Sequence, residues 1–409
     1  MSLFLKINKL TIWDKLFLFF GFISFTNPII IFLLYSVGYS INYQSINVFI
    51  IFALVILSIL YVLNFKKKSI FLNIVFAIFI VIFLGLVGSF FPVFKRVSFI
   101  KLIGLYSSII GAPLISIFLI KHFLKNRQID LFINLIFWGG VLIAILNIYF
   151  FYKLYFGDYS KIYQYTEFIG LGSYIKDLGT FFIRPAGYFF DYHSQYYLPL
   201  FSFIMLVSNK VKFSKIKRII LVLLCILSVI LSGIKAAYIT LIVLLIFYFI
   251  KKYSFFNFIL WTIILFINII ILDSYFDSVL YDLFYKIITH DINILIKHFF
   301  DVPKLLFKNY FHVLLFGGQV GMEAFIYSEV YYITLFYYIG FFGVLFLFIV
   351  PIIYTFFKGQ TFYLQSLTII FSLSLIHYYV FKVSFNIFGT ALFYFYFFLL
   401  YYKKQLVYE

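Results

Sequence analysis

Cysteine is almost absent from this 409-residue sequence: Cys225 is the only one. No intramolecular disulfide can form, and amid apolar neighbours Cys225 reads as a small buried hydrophobe. Acidic residues are scarce as well, 14 against 32 lysines and arginines, which leaves a formal charge of +18. No polar stretch is long enough to make a separate soluble domain. No P-loop, dinucleotide-binding glycine pattern or metal-ligand spacing occurs, and the 6 histidines are scattered. These gaps exclude a phosphate-cradling NTPase, a Rossmann enzyme and a zinc-type centre, so neither a cofactor nor a metal is expected. There is no internal repeat, and the paired interrupted helices that mark many transporters are not evident.

What fills the chain instead is apolar. Hydrophobic residues make up 65% of it, with a mean hydropathy of +1.10, whereas soluble domains stay near 45–50% apolar. The fold expected is all-α, a polytopic integral membrane protein forming a single multi-spanning domain over 1–409. A helix needs about 20 apolar residues to cross the hydrocarbon core. Stretches that qualify lie at 14–37, 45–65, 69–90, 99–120, 129–152, 186–208, 216–233, 236–250, 255–273, 328–357, 361–381 and 384–402, about 12 transmembrane helices on that length criterion. The first apolar run is long and lacks a small-residue cleavage site, so no cleavable signal peptide is expected.

The positive charge sorts by side. With the N-terminus inside, the inner loops receive Lys6, Lys9, Lys15, the triplet at 66–68, Lys121, Lys125, Arg127, the cluster at 210–218, Lys251, Lys252, Lys358, Lys403 and Lys404. Of the acids only Asp14, Asp130 and Glu409 fall there. This is the positive-inside pattern, so the charge reports topology rather than nucleic-acid binding, and both termini are expected in the cytoplasm. Two long loops then lie outside: the first large external loop at 153–185 and the second at about 274–327. In the second, Leu280, Leu283, Phe284, Ile287 and Ile288 follow helical spacing, and Ile292, Leu295, Ile296, Phe299 and Phe300 repeat it. Two amphipathic cap helices on the outer face are predicted, with Pro303 before a third piece at 304–311. They serve equally as a lid or as plain interfacial packing.

Three stretches on the outer side carry polar chemistry in apolar surroundings. RPAGYFFDYHSQYY (184–197) sets Arg184 beside a proline-led helix start, an anion-binding arrangement, with Asp191 and His193 further into the span. Arg184 also reads as a snorkelling interface arginine, and Asp191 and His193 as a satisfied buried pair. LSGIKAA (231–237) puts Lys235 after Gly233 at the mouth of a tight hairpin; an exposed lysine in an ordinary turn is the plainer reading. LLFGGQVGMEAFIYSEVYYITLFYYIGFFG (314–343) has a glycine turn at Gly317, Gly318 and Gly321, then Glu323, then Glu329 at a span start, where a carboxylate also caps a helix. Two cations suit a phosphate or pyrophosphate, and a carboxylate suits removal of a hydroxyl proton. His290, His298 and His312 in the second loop are reserve bases.

The topology and these three stretches resemble the O-antigen polymerases (Wzy type), within the wider group that includes the O-antigen ligases. The arginine, glycine and polar residues of 184–195 look like the family's arginine motif, and LSGIKAA looks like its Ser-Arg-Gly-Ala-type motif, with Lys235 where arginine is usual. FGGQVG and the span through Gly340 look like its second-loop glycine turn and following helix. Ligases carry a histidine at the start of that span; here Glu329 stands there, which favours a polymerase. The resemblance implies a metal-independent, inverting membrane glycosyltransferase of the bacterial inner membrane. Donor and acceptor would be undecaprenyl-pyrophosphate-linked oligosaccharides, for O-antigen or capsule. It implies Arg184 and Lys235 on the donor pyrophosphate and Glu329 as base. Asp191, His193, Glu323, His298 and His312 would line the substrate site. Membrane lipid and a chain-length regulator protein are the implied partners, and no nucleic acid. The rival readings are an O-antigen ligase, a lipid-linked oligosaccharide flippase, and a structural or sensory membrane protein without a reaction.

Overall fold

The computed structural model describes residues 11–39, 43–63, 78–79, 82–83, 85–88, 106, 109–120, 129–156, 196–232, 235–252, 300–301, 304–305, 307–319, 331–375 and 384–401. Every regular element among them is helical. In chain order these are α1 (Ile12–Ser36), α2 (Tyr43–Leu63), α3 (Ile109–Ile120), α4 (Ile129–Phe156), α5 (Tyr197–Val207) and α6 (Lys215–Leu231). There follow α7 (Lys235–Lys252), α8 (Phe311–Phe316), α9 (Tyr331–Val344), α10 (Val350–Lys358), α11 (Phe362–Ser374) and α12 (Ser384–Tyr401). Apart from α8, which lies in the segment read as the second external loop, these helices fall on apolar stretches marked in the sequence; the stretch at 255–273 and most of 69–90 lie outside the described residues. Two helical runs, Ile129–Lys153 and Thr334–Lys358, are each long and apolar enough to cross a membrane.

Local signals account for several boundaries. The Thr11 hydroxyl accepts from the Asp14 amide, and the Asp14 carboxylate accepts from the Thr11 amide at 3.0 Å, a reciprocal cap that starts α1. Thr361 caps α11 by accepting from the Leu364 amide. α5 ends where Asn209 turns to φ 56°. The Asn209 amide then reaches the Leu206 carbonyl and the Lys210 amide the Met205 carbonyl, the paired bonds of a Schellman stop.

The core is apolar and aromatic, and the outer faces of several helices are apolar too. On α6, Ile216, Ile219, Ile220, Leu223, Leu227 and Ile230 are exposed along one face, with Ile216 73% exposed. Its buried side carries Cys225, Ser228 and Val229. There the Ser228 hydroxyl accepts from the Asn147 side-chain amide of α4 at 3.1 Å. In α2, Phe49, Phe52, Ile56 and Ile59 face outward while Ser58 is buried and returns its hydroxyl to the Leu54 carbonyl. A continuous exposed apolar face would be a liability in water, whereas hydrocarbon demands polar groups turned inward and paired. α4, α5 and α6 pack on one another at the centre, and α12 joins them to α1 and α2. Tyr197 of α5 and Thr390 of α12 share a buried hydroxyl bond at 3.2 Å, and the Ser202 hydroxyl donates to the Phe137 carbonyl at 2.9 Å. Phe371 stacks on Phe393 with ring centroids 4.2 Å apart, one of many aromatic contacts that fill the core.

The stretch read as one long span at 328–357 is interrupted twice. The first interruption is at Gly340, with φ 67° and ψ 179°. The second is a π-helical turn, Leu345–Ile349, in which the Val350 amide reaches back to the Leu345 carbonyl. Pro351 explains the second. It has no amide to offer the carbonyl four residues earlier, at Leu347. The helix widens around the gap, and the Tyr394 hydroxyl of α12 donates to the Leu347 carbonyl instead.

Candidate functional site

The interruption at Gly340 is the best-defined irregular structure among the described residues, and it joins both glycine elements of the third stretch. In an unbroken helix the carbonyls of Tyr337 and Tyr338 would accept from Phe341 and Phe342. Here the Gln319 amide donates to the Tyr337 carbonyl at 2.8 Å and the Gly318 amide to the Tyr338 carbonyl at 2.9 Å. The Tyr106 hydroxyl adds a third bond, also to the Tyr338 carbonyl, at 2.7 Å. The Gln319 side chain then continues across the junction: its amide nitrogen donates to the Gly88 carbonyl at 2.8 Å.

Glycine is required where the two backbones cross. Gly340 sits in a region open almost only to glycine. A Cβ there would lie 2.7 Å from the carbonyl carbons of Leu315 and Phe316. Gly317, at φ 71°, faces the same constraint from the other side: its Cβ would lie 2.5 Å from the Gly340 nitrogen and 2.6 Å from that of Ile339. The glycine turn is therefore no loose loop. Residues 317–319 are buried and fully engaged with α9. Since they pair seven residues beyond the start of α9 at Tyr331, they reach about 10 Å along that helix axis. Buried non-helical backbone needs its polar groups paired within the protein, and the Gly318 and Gln319 amides meet that need here.

Of the residues proposed from sequence, two lie among the described residues. His312 is half-buried on α8, which packs against α9, six residues before Gly318. Lys235 is the first residue of α7. α6 ends at Leu231 with Ser232 as its cap, and the two residues between Ser232 and Lys235 lie outside the described residues. The Ser232 hydroxyl closes on the Val229 carbonyl at 2.6 Å. A cation at a helix start stands against the helix dipole, and an anion bound there would satisfy both. Arg184, Asp191, His193, His290, His298, Glu323 and Glu329 lie outside the described residues, as do the two cap helices assigned to 280–288 and 292–300, apart from Phe300. The third piece at 304–311 divides: Tyr310 caps a separate short helix, α8. Upstream, Phe300 and Phe307 are exposed, and Phe307 meets Phe311 edge-on.

Sequence reasoning missed Gln319, Tyr106 and Gly88, and used Gly340 only as a landmark. Among the described residues no three His, Cys, Asp or Glu side chains gather as a metal site. No family model, curated protein or solved structure matches the chain.

Proposed function

We propose that the protein polymerises lipid-linked glycan repeat units on the external face of the bacterial inner membrane, in the manner of an O-antigen polymerase, for O-antigen or capsule. The observation that carries this reading is the pairing of 317–319 with 337–340. The glycine turn and the glycine of the following span, the two parts of the third family-like stretch, make one buried junction rather than two separate features. Lys235 at the first position of α7 supports the same reading, because a lysine beside free helix amides suits a pyrophosphate.

In this proposal the chain crosses the membrane with about 12 helices, and both termini are cytoplasmic. Arg184 and Lys235 hold the pyrophosphate of the donor glycan. The acceptor sugar hydroxyl of a second lipid-linked unit attacks the anomeric carbon of the donor. Glu329 takes the hydroxyl proton as the new carbon–oxygen bond forms. The bond from the anomeric carbon to the pyrophosphate breaks, and undecaprenyl pyrophosphate leaves with the electron pair, its growing charge balanced by the two cations. A direct displacement inverts the anomeric centre. The second loop closes over the glycan and keeps water from the donor, with Asp191, His193, Glu323, His298 and His312 lining the groove.

Variants test the assignment. Arg184→Ala and Lys235→Ala abolish long glycan chains while the protein still inserts, and Lys235→Arg keeps them. Normal chain ladders from both alanine variants would remove the pyrophosphate clamp.

A further inference from the structure

At the opposite end of α7 from Lys235, the structure encloses a second polar feature. A pocket of about 380 Å³ opens between the end of α5, the end of α7 and the start of α11. Its lining includes Lys210, Lys251 and Lys252, the hydroxyl-bearing Tyr248 and Thr361, and Tyr363; none of its lining residues is acidic. By the distribution of charge this is the cytoplasmic surface.

We infer that this pocket holds the phosphate headgroup of an anionic phospholipid. Three exposed lysines border one hollow that has no acid in its lining, and a bound anion offsets their like charge. They are also held in place. The Lys210 ammonium sits 4.9 Å from the centre of the Tyr363 ring, Lys251 5.7 Å from that of Phe247 and Lys252 5.0 Å from that of Tyr248. Such cation–π seats fix long side chains that would otherwise sweep through solvent. Lys210 is fixed at its backbone too, because it closes the Schellman stop of α5 through its bond to the Met205 carbonyl at 2.9 Å. The lining is partly aromatic: Tyr248, Phe362 and Tyr363 face it, and Phe362 is backed by Phe247, stacked on it at 5.7 Å. The volume lies at the low end of ligand sites, the size of a headgroup rather than a glycan. Basic hollows between helices on the cytoplasmic side are where acidic headgroups dock. The inference requires only that the helices span a bilayer, and it stands or falls separately from the polymerase reading.

The test uses the full chain in neutral detergent micelles, titrated with dioctanoyl phosphatidylglycerol, dioctanoyl phosphatidylcholine and inorganic phosphate, with binding counted by native mass spectrometry. Phosphatidylglycerol should bind at least about tenfold more tightly than phosphatidylcholine. Lys210→Gln and Lys251→Gln should each weaken it about fivefold, the share of one lysine near an acidic headgroup. Lys215→Gln with Lys217→Gln, on the same end but outside the pocket, should leave it unchanged. Equal binding of the two lipids overturns the proposal. So does an equal loss in the Lys215 and Lys217 variant, which would mean diffuse surface charge. Saturation by inorganic phosphate at millimolar concentration, with no preference for phosphatidylglycerol, would assign the pocket to a soluble phosphate compound and overturn the lipid.

Discussion

Replacing Gly340 by alanine tests whether the crossing of two backbones organises the junction between α8 and α9. The backbone at φ 67°, ψ 179° costs a non-glycine residue about 1–3 kcal/mol. The new methyl would also press on the Leu315 and Phe316 carbonyl carbons, 2.7 Å away. Those atoms belong to the chain that presents the Gly318 and Gln319 amides to Tyr338 and Tyr337. Relief by moving it apart weakens two buried backbone bonds, each worth about 0.5–1.5 kcal/mol net. Together the loss is about 2–6 kcal/mol, a large share of the stability of most proteins. Gly111→Ala is the control: it sits in the helical backbone of α3, and its Cβ would meet only the ends of the Val55 and Ile387 side chains, at 3.3 and 3.8 Å. Thermal unfolding in detergent micelles, followed by tryptophan fluorescence, should show a marked drop in midpoint for Gly340→Ala and a small one for Gly111→Ala. Equal midpoints for the two variants would refute the reasoning, because a simple loss of packing space would then explain both.

Three further outcomes follow from the same contacts. Gln319→Leu removes the donor to the Gly88 carbonyl and leaves that buried acceptor unpaired, at a cost of about 1–3 kcal/mol; the same unfolding assay reads it. Tyr394→Phe strands the Leu347 carbonyl opposite Pro351 and should destabilise more than Tyr106→Phe, since the Tyr338 carbonyl keeps its bond from Gly318 when Tyr106 is lost. Glu329→Gln should shorten surface glycan far more than His298→Ala, read on a glycan gel; the reverse ranking would move the base into the second loop.

The helices were legible in the sequence because hydrocarbon imposes a length and a composition on any segment that crosses it. α4 and the Thr334–Lys358 run stand out by hydropathy alone. The break at Gly340 was not legible for the same reason. Hydropathy counts side chains, and YYIGFFG is apolar on both sides of the glycine, while the interruption is a backbone event. Its partners are also remote: Tyr106 lies 232 residues from Tyr338, and Gly88 lies 231 from Gln319. A glutamine directly after two glycines, in an otherwise apolar stretch, was the one local hint that backbone groups needed a donor there. The π turn had a plainer signal in Pro351, whose missing amide demands some local adjustment. At the candidate site, the small and polar residues of LSGIKAA marked a boundary between two apolar runs, and helices end at Leu231 and begin at Lys235 there. The lysine-lined pocket was hidden because Lys210, Lys251 and Lys252 read, one by one, as ordinary loop and helix-end charges. Only the packing of α7 against α11 gathers them.

The most direct test of the proposed function is a gel of surface and lipid-linked glycan from a strain lacking this gene. Polymerisation of repeat units predicts a single unit on the lipid A-core or other acceptor, with no ladder of longer chains, and restoration of the ladder by the wild-type gene. Long chains retained on undecaprenyl and absent from the acceptor would contradict it in favour of a ligase, single units trapped on the cytoplasmic side would point to a flippase, and an unchanged ladder would remove the enzyme altogether.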